Sequence, residues 1–383
     1  MSQATNFKCV ARRGTLLVLA MFAIQSVALA RCPIPAGGFL FLRAPLGNLL
    51  VDTSVTGFIE VEVSDSAIEV EEQCFDDHVE ISGIAPARRF GPVDWRIRVP
   101  ASVDLDLITF AGGVSVATTE GNVILRTTGG NVVMGNVGGT AAVITQGGSI
   151  LVGNIGGDAE LRSLGGQIEI GDVLGNAELE TLGGPIRTGT ISGQVQAETA
   201  GGSINIHESQ GDLNAVTLAG DIVIGTAGKA TVRTAGGNII GILIRGAFQG
   251  FTELGDIRIE RAESSIEATS GFGDIEVRLA PPSLAGDLHV ELRTKVGNIR
   301  LAIPANLPAN LETVIERTLM QAPRVRSDFP LRTVGSGNNS RPSFAQGFAI
   351  AQSDRSVTEL NGGGNVIRLQ TSRGTIEIRR IRQ

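Results

Sequence analysis

Short runs of alternating apolar and polar residues recur along the chain about every 18 residues. After Gly166, Ile168 and Ile170 alternate with polar residues, and Ala177 and Leu179 repeat the alternation. This period of two predicts β-strands with one buried face, and the Gly, Asn and Asp residues between the runs predict tight turns. Because no run is long enough for a helix of ordinary length, we predict an all-β chain of short strands.

A glycine marks the same corner of each unit, usually as the second residue of a Gly-Gly pair. It stands at Gly113, Gly130, Gly148, Gly166, Gly184, Gly202, Gly220, Gly237, Gly255, Gly273 and Gly297. Repeats this short indicate a solenoid in which each unit is one coil. We expect glycine at the corner for two reasons. A tight corner demands positive φ, and a Cβ would crowd the coil stacked on it.

An isoleucine stands two places after the corner glycine in most units, at Ile150, Ile168, Ile186, Ile204, Ile222, Ile239, Ile257, Ile275 and Ile299. This column predicts that each strand pairs in parallel with its equivalent in the next coil, about 4.8 Å away. The left-handed hexapeptide solenoid needs an apolar residue every six, but from Ile168 the next two such positions are Leu174 and Glu180. We therefore predict a single-stranded parallel β-helix, or β-solenoid, of about 18 residues per coil and right-handed.

A hydroxyl residue stands three places before most corner glycines, at Thr127, Thr145, Ser163, Thr181, Thr199, Thr217, Thr234, Thr252, Ser270 and Thr294. We expect a corner ladder in which each hydroxyl bonds its neighbour or a turn amide. The alternative is an outward ice-binding row, which would need two parallel Thr columns on one flat face.

The N-terminus predicts export. A basic start is followed by the apolar run Thr15–Ile24 and by the small-residue cleavage site Ala28–Ala30, so residues 1–30 are typical of a signal peptide. An uncleaved anchor and a lipoprotein at Cys32 are the alternatives. We expect a periplasmic, cell-surface or extracellular protein that has no transmembrane anchor after cleavage. The chain carries a net charge of −7, and the lack of a basic run after residue 30 argues against nucleic acid as a partner.

Cleavage leaves two cysteines, Cys32 and Cys74. Because an exported chain meets an oxidising compartment, we predict that they form a disulfide. Two unpaired thiols are the alternative.

The repeat divides the exported chain into four parts. Residues 31–110 are predicted to form an N-terminal β cap that leads into the solenoid, because a solenoid must cover its terminal strand edges. Residues 111–304 form the coils, residues 305–362 form a loop-rich excursion, and residues 363–383 return to the repeat pattern as a closing coil.

Several motifs in this order resemble a bacterial family of β-strand-repeat proteins labelled "putative adhesin", a domain-of-unknown-function family. They are WRIRVPASVDLDL from Trp95, repeated units such as GDIRI from Gly255, IRLAIP from Ile299, and GGGNVIRLQTSRGTIEI from Gly362. The resemblance covers most of residues 40–380. It implies export and a right-handed β-helix-like fold, and it implies no catalytic residues.

The sequence assigns no catalytic residue, metal site or cofactor. The three histidines are far apart in the chain, and Asp76-Asp77-His78 is interpreted as a solvated turn, with a metal site or a base as the alternative. A carbohydrate-active enzyme, a polysaccharide lyase or hydrolase, would need carboxylates held close together. Asp256 and Asp274 are neighbours one coil apart, but the turn preference of Asp explains them.

Apolar residues at outward positions of the early coils point to a covered face, either under the cap or excursion or under a partner; they are Ile124, Val133, Ala142, Ile144 and Leu151. Our first interpretation is an exported, non-enzymatic surface or periplasmic module with a binding or structural role. Its partner would be an envelope component or a second copy. The alternatives are a carbohydrate-active enzyme on a β-helix and a self-assembling envelope scaffold.

Overall fold

The computed structural model describes residues 27–86, 93–284, 287–317, 324–333 and 352–381. All regular elements in these residues are β-strands, which confirms the all-β prediction. The same residues contain no helix that is long and apolar enough to cross a membrane. The predicted signal peptide lies almost wholly outside the described residues.

The strands form two long sheets, named here sheet A and sheet B. The strands before the regular repeat are β1 (Val27–Pro33), β2 (Phe39–Ala44), β3 (Asn48–Asp52), β4 (Phe58–Val63), β5 (Glu69–Cys74), β6 (His78–Ile84) and β7 (Asp94–Arg98). The repeat itself consists of β8 (Asp104–Thr109), β9 (Val114–Val116), β10 (Val123–Thr127), β11 (Val132–Met134), β12 (Ala141–Thr145), β13 (Ile150–Val152), β14 (Ala159–Ser163), β15 (Ile168–Ile170), β16 (Ala177–Thr181), β17 (Ile186–Ile191), β18 (Val195–Thr199), β19 (Ile204–Ser209), β20 (Leu213–Thr217), β21 (Ile222–Ala227), β22 (Ala230–Thr234), β23 (Ile239–Ile244), β24 (Phe248–Thr252), β25 (Ile257–Ala262), β26 (Ile266–Phe272), β27 (Ile275–Leu279), β28 (His289–Val296) and β29 (Ile299–Pro304). The strands that follow it are β30 (Ala309–Arg317), β31 (Arg324–Ser327), β32 (Arg332–Thr333), β33 (Gln352–Leu360), β34 (Asn365–Arg373) and β35 (Thr375–Ile381).

Each coil of the repeat contributes an even-numbered strand to sheet B and an odd-numbered strand to sheet A. The strands pair in parallel with their equivalents one coil away. Each residue pairs with the residue that occupies the same position in the next sequence repeat. Ile168 pairs with Ile150 on one side and with Ile186 on the other. A third short segment is joined by single parallel bridges such as Ile155 to Val173. The predicted coil length, strand pairing and isoleucine column are therefore correct.

The inward columns of both sheets form one continuous apolar core. Ile168 and Leu161 are fully buried, and the Ile, Val, Leu and Ala residues above and below them are almost as enclosed. Stacked side chains of equal shape fill a narrow coil without voids, because each coil repeats the packing of the one before it.

The corner glycines are required by the close approach of stacked coils. At Gly166 an added Cβ would lie less than 3.0 Å from the backbone of Gly148, one coil before, and the same overlap recurs at each predicted corner from Gly130 to Gly297. In the first coil the crowded glycine is Gly112 and not the predicted Gly113, where the atom nearest to a Cβ is 3.5 Å away.

Positive φ is a lesser cause than we expected. In this column Gly130 (φ 110°) and Gly297 occupy the left-handed region, whereas the other corner glycines lie outside it. The first glycine of a pair is much freer, since nothing lies within 4 Å of a Cβ at Gly147.

The hydroxyl column joins consecutive corners through buried hydrogen bonds. Ser163 Oγ donates to the carbonyl oxygen of Gly148 at 2.9 Å and accepts from the N–H of Gly166 at 2.9 Å. Thr181 and Thr199 donate in the same way to the corner carbonyl one coil before. These hydroxyl residues are buried. The predicted hydrogen bond between a column hydroxyl and a turn amide is therefore confirmed. The alternative of an outward ice-binding row is wrong, because the hydroxyl residues are buried.

At the N-terminal end the order of strands in space differs from their order in the chain. In sheet B, β2 lies between β6 and β8, and β5 pairs antiparallel with the outer side of β6. In sheet A, β3 lies between β7 and β9, and β4 and then β1 follow antiparallel. The coil of β2 and β3, which comes first in the chain, therefore lies inside the stack, and the later coil of β6 and β7 lies on its outer side.

The C-terminal end repeats this arrangement. In sheet B, β34 lies between β28 and β30, and β33 pairs antiparallel with β30. In sheet A, β35 lies between β29 and β31. The segment 363–383 thus forms the coil next to the end over its described residues. The outermost coil comes from the 305–362 excursion.

Candidate functional site

The outward face of sheet B carries two long grooves. In each five-residue strand of this sheet the second and fourth side chains point outward while the first, third and fifth are buried. The second positions line one groove and the fourth positions line the other. Because every coil adds one side chain to each column, about 4.8 Å from the last, both grooves run along the axis of the stack.

The first groove, named here the polar groove, has a volume of about 790 Å³. It crosses β12 to β22 and is lined by one cation, Lys229, and mainly by carboxylates and amides, which are those of Asp158, Glu160, Asn176, Glu178, Gln194, Gln196, Asp212 and Asn214. Lys229 Nζ lies 3.3 Å from Asp212 Oδ2, so the one cation of this groove already has an acidic partner.

Arg162 forms ion pairs with three carboxylates at one side of the polar groove. Its Nε lies 3.2 Å from Glu160 Oε1, its Nη1 lies 3.2 Å from Glu180 Oε2, and its Nη2 contacts Glu178. Glu180 and Glu198 are cross-strand neighbours. One guanidinium therefore faces several acids, and the cluster remains negative. Because these side chains are largely exposed, each ion pair adds little stability.

The second groove, named here the basic groove, has a volume of about 530 Å³ and lies over β20 to β28 and β34. Its main lining residues are Val216, Leu218, Arg233, Phe251, Glu253, Arg293, Lys295 and Gln370. The guanidinium of Arg233 lies 4.7 Å from the centre of the Phe251 ring. This groove combines an exposed apolar floor with three cations and one carboxylate, in a chain whose net charge is −7.

An exposed apolar ridge follows the Gly-Gly corner beside the basic groove. It consists of side chains one or two places before the corner glycine, on successive or alternate coils: Leu164, Leu182, Leu218, Leu254, Phe272 and Val296. Sequence reasoning missed this ridge, because a corner residue belongs to neither face of the alternating pattern. The signal available was that an apolar residue recurs at nearly the same place in the unit.

The apolar residues predicted to be covered on the early coils remain open. Val133, Ile144 and Leu151 are 45%, 42% and 41% exposed, and Ile124 and Ala142 are half-buried. The described residues of the cap and the excursion therefore do not bury Val133, Ile144 and Leu151, and that part of the prediction is wrong.

Backbone hydrogen bonds explain why the carboxylates of Asp256 and Asp274 lie next to each other, so their proximity does not require a catalytic role. The N–H of Asp274 donates to Asp256 Oδ1 at 2.7 Å, and the N–H of Asn298 donates to Asp274 Oδ1 at 2.7 Å. Asp221 accepts from the N–H of Asn238 in the same way. Each side chain thus binds the turn of the next coil, as the turn interpretation of these residues implies.

Cys32 and Cys74 lie together at the N-terminal end, with their sulfur atoms 1.98 Å apart, as in a disulfide. The Glu72 carboxylate contacts the sulfur of Cys32, and burial raises the pKa of Glu72. Within the described residues these three side chains are the one group close enough to share a metal ion. A disulfide offers no thiolate ligands, so the group does not fit a metal in this form.

Asp77 and His78 lie at the exposed turn between β5 and β6. His78 Nδ1 is 2.6 Å from Asp77 Oδ1, and this hydrogen bond lowers the pKa of Asp77. The ring of Phe75 stacks on His78 at 4.3 Å. The geometry is that of the solvated turn predicted from the sequence.

No known protein family matches the chain, and no curated protein matches it. Among solved structures, the chain is similar to one described as a "putative cell adhesion protein" from Clostridium sporogenes, with 10% sequence identity. The match covers 92% of this chain and 98% of that one, with a TM-score of 0.17.

Proposed function

We propose that this protein is an exported, non-enzymatic, adhesin-like binding module, and that the basic groove of sheet B holds its ligand. The right-handed winding, the capping role of residues 31–110 and the periplasmic, surface or extracellular location belong to the same proposal. Cell fractionation with protease shaving of intact cells tests the location. Recovery of the chain in the cytoplasmic fraction alone would contradict it.

One observation supports the ligand site. Arg233, Arg293 and Lys295 line the same groove of about 530 Å³ as the exposed ring of Phe251, and the guanidinium of Arg233 lies 4.7 Å from the centre of that ring. Ligand sites are typically concave and largely apolar, with a few convergent polar groups. The cations favour a ligand with carboxylates or sulfates, and the ring offers a surface on which the apolar face of a sugar can stack.

The shape of the groove favours a polymer. Each coil adds one side chain to the column, so a chain lying along the axis meets a side chain about every 4.8 Å. Thr269 and Gln370 add hydrogen-bonding groups on the two strands that flank Arg293. We therefore propose an anionic polysaccharide as the ligand class.

The test measures binding of an oligogalacturonate and of a neutral maltooligosaccharide of equal length by isothermal titration calorimetry. We expect binding of the anionic oligomer alone, weakened at least about tenfold in Arg233→Gln and in Phe251→Ala. Phe272→Ala is the matched control, because it removes an exposed ring outside the groove. Equal affinity for both oligomers, or loss of binding only in the control, would contradict the site.

The polar groove supports a second candidate function, a carbohydrate-active enzyme. Asp158, Glu160, Glu178 and Asp212 line this one groove, and glycoside cleavage uses paired carboxylates. Incubation of the protein with polygalacturonate, followed by assay of new reducing ends and of unsaturated products, tests it. Turnover that disappears in Glu178→Gln would favour the enzyme, and an unchanged polymer would favour the binding module.

A further inference from the structure

We propose that the basic groove continues over the C-terminal end of sheet B, so that one anionic polysaccharide chain spans three evenly spaced cations, Arg233, Arg293 and Arg355. This inference rests on the proposed function, because it extends the ligand site proposed there. It specifies the length of the bound segment and the spacing of the anionic groups that the protein recognises.

A second groove, named here the end groove, adjoins the basic groove. It has a volume of about 390 Å³ and lies over β28, β34, β30 and β33. Arg293 and Gln370 line both grooves, and Arg355 lines the end groove. The two grooves therefore form one path along the outward face of sheet B.

The fourth-position column of sheet B runs through both grooves without a break. Strand pairing places its outward residues side by side in the order Val216, Arg233, Phe251, Thr269, Arg293, Gln370, Val314 and Arg355. Strand β33 runs antiparallel to β30, but Arg355 is exposed opposite Val314, so the column extends onto β33.

The three arginines of this column are evenly spaced. Arg293 lies three strands from Arg233, and Arg355 lies three strands from Arg293. At about 4.8 Å per strand, successive cations are about 14 Å apart and the whole span is about 29 Å. A ligand that contacts all three must therefore present anionic groups on one side at the same interval.

Arg293 and Arg355 keep N–H donors available for a ligand. Arg293 contacts Glu291, and Arg355 Nε lies 2.7 Å from Glu312 Oε1. The two arginine side chains are 52% and 58% exposed, whereas the glutamates are only 13% and 25% exposed. A guanidinium has five N–H donors, so one sheltered carboxylate leaves most of them facing solvent. The glutamates therefore orient the two cations without blocking them.

Acidic side chains limit the bound segment on its other side. Beyond Val216 the same column carries Glu198 and then Glu180. These carboxylates repel an anionic chain. The bound segment therefore begins near Val216 and extends toward the C-terminal end of the stack.

The test measures binding of oligogalacturonates of increasing length by isothermal titration calorimetry. We expect affinity to increase with length until the oligomer spans the distance of about 29 Å from Arg233 to Arg355. In Arg355→Gln, oligomers that reach only from Arg233 to Arg293 should bind as they do to the parent protein. Longer oligomers should bind about two- to fivefold more weakly than to the parent, as expected for the loss of one exposed charge pair.

Arg278→Gln is the matched control, because Arg278 is exposed on β27 of sheet A. It should leave the affinity for every oligomer unchanged. Because Arg355 is exposed, its substitution should not disturb the fold, and unchanged binding of the short oligomers verifies this. An affinity that does not increase with length, or an equal loss at all lengths in Arg355→Gln, would overturn the proposal.

A double variant separates the spacing of the cations from their number. Val314→Arg combined with Arg355→Val keeps the composition and moves the third cation one strand closer to Arg293. We expect it to lose the gain from long oligomers, as Arg355→Gln does. Full retention of that gain would show that net charge alone matters, and it would refute the spacing.

Failure of the proposed function gives a different result. If no oligomer binds, or if Arg233→Gln and Phe251→Ala leave binding of the short oligomers unchanged, the ligand site and its extension are both wrong. If the short oligomers depend on Arg233 and Phe251 but greater length adds no affinity, the basic groove is the site and only the extension is wrong.

Discussion

Replacing Gly166 by alanine places a methyl group where two coils have their closest backbone approach. The added Cβ would lie less than 3.0 Å from the carbonyl group of Gly148 and from the N–H of Ser149. These are backbone atoms of the neighbouring coil, so no rotamer change can make room. Gly165→Ala adds the same methyl group one residue earlier, where the nearest atom is the carbonyl oxygen of Gly147 at 3.7 Å.

The expected cost follows from the local contacts. Forcing an extra carbon into a packed region typically costs about 1–3 kcal/mol. Moving the coil also stretches the two hydrogen bonds of Ser163, to Gly148 O and from Gly166 N, each contributing about 0.5–1.5 kcal/mol. Alanine also lowers the conformational entropy of the unfolded chain, which offsets about 0.4–1 kcal/mol of this cost. Gly166→Ala should therefore destabilise the protein by about 1–5 kcal/mol.

Gly165→Ala should be neutral or stabilising by up to about 1 kcal/mol, because its φ lies outside the left-handed region and a Cβ meets only ordinary contacts there. The chain itself supports this expectation. At the equivalent position of later coils it carries Ala219, Leu254 and Phe272 in place of the first glycine.

Hydrogen exchange measures the effect coil by coil, which suits a repeat protein whose unfolding need not be two-state. In Gly166→Ala we expect faster exchange in the coils from Gly148 to Gly202 than in the distant coils, and in Gly165→Ala no such change. Thermal unfolding of both variants provides the overall ranking. If the two substitutions have equal effects, or if Gly166→Ala is neutral, the close approach of stacked corners is not what requires glycine.

Other substitutions test other parts of the molecule. Ser163→Ala leaves two buried backbone groups without their partner and should cost about 1–3 kcal/mol in chemical unfolding, whereas Ser163→Thr keeps the hydroxyl and should be nearly neutral. Reduction of the disulfide between Cys32 and Cys74, which lie 42 residues apart, should cost about 3–4 kcal/mol, and labelling of the unreduced, unfolded chain that begins at Arg31 should find no free thiol. The raised pKa of Glu72 means that the folded state binds its proton more tightly than the unfolded state, so the contribution of Glu72 to the free energy of unfolding falls as pH rises above about 4.5. Glu72→Gln should flatten that slope in thermal melts taken across the pH range, and an unchanged slope would contradict the burial of Glu72 as its cause.

The regular coils could be predicted from the sequence because each one repeats the same local requirements. The isoleucine column specified the register, since a slip of one residue would turn Ile168 and its equivalents outward. The position of the corner glycines and the burial of hydroxyls such as Ser163 were also readable. The two candidate grooves were not, because they depend on which side chains of separate coils come to lie side by side above sheet B.

The order of coils at the two ends was decided by the tertiary structure alone. An alternating strand such as β2 or β34 carries no local signal that names its neighbours, and any parallel strand with matching inward residues satisfies its hydrogen bonds. Only the assembled stack shows that β2 lies between β6 and β8, and that β34 lies between β28 and β30. The period of the sequence determined how one coil is built and how it stacks. The ends required the whole chain, because closing a stack depends on contacts between segments that are distant in sequence.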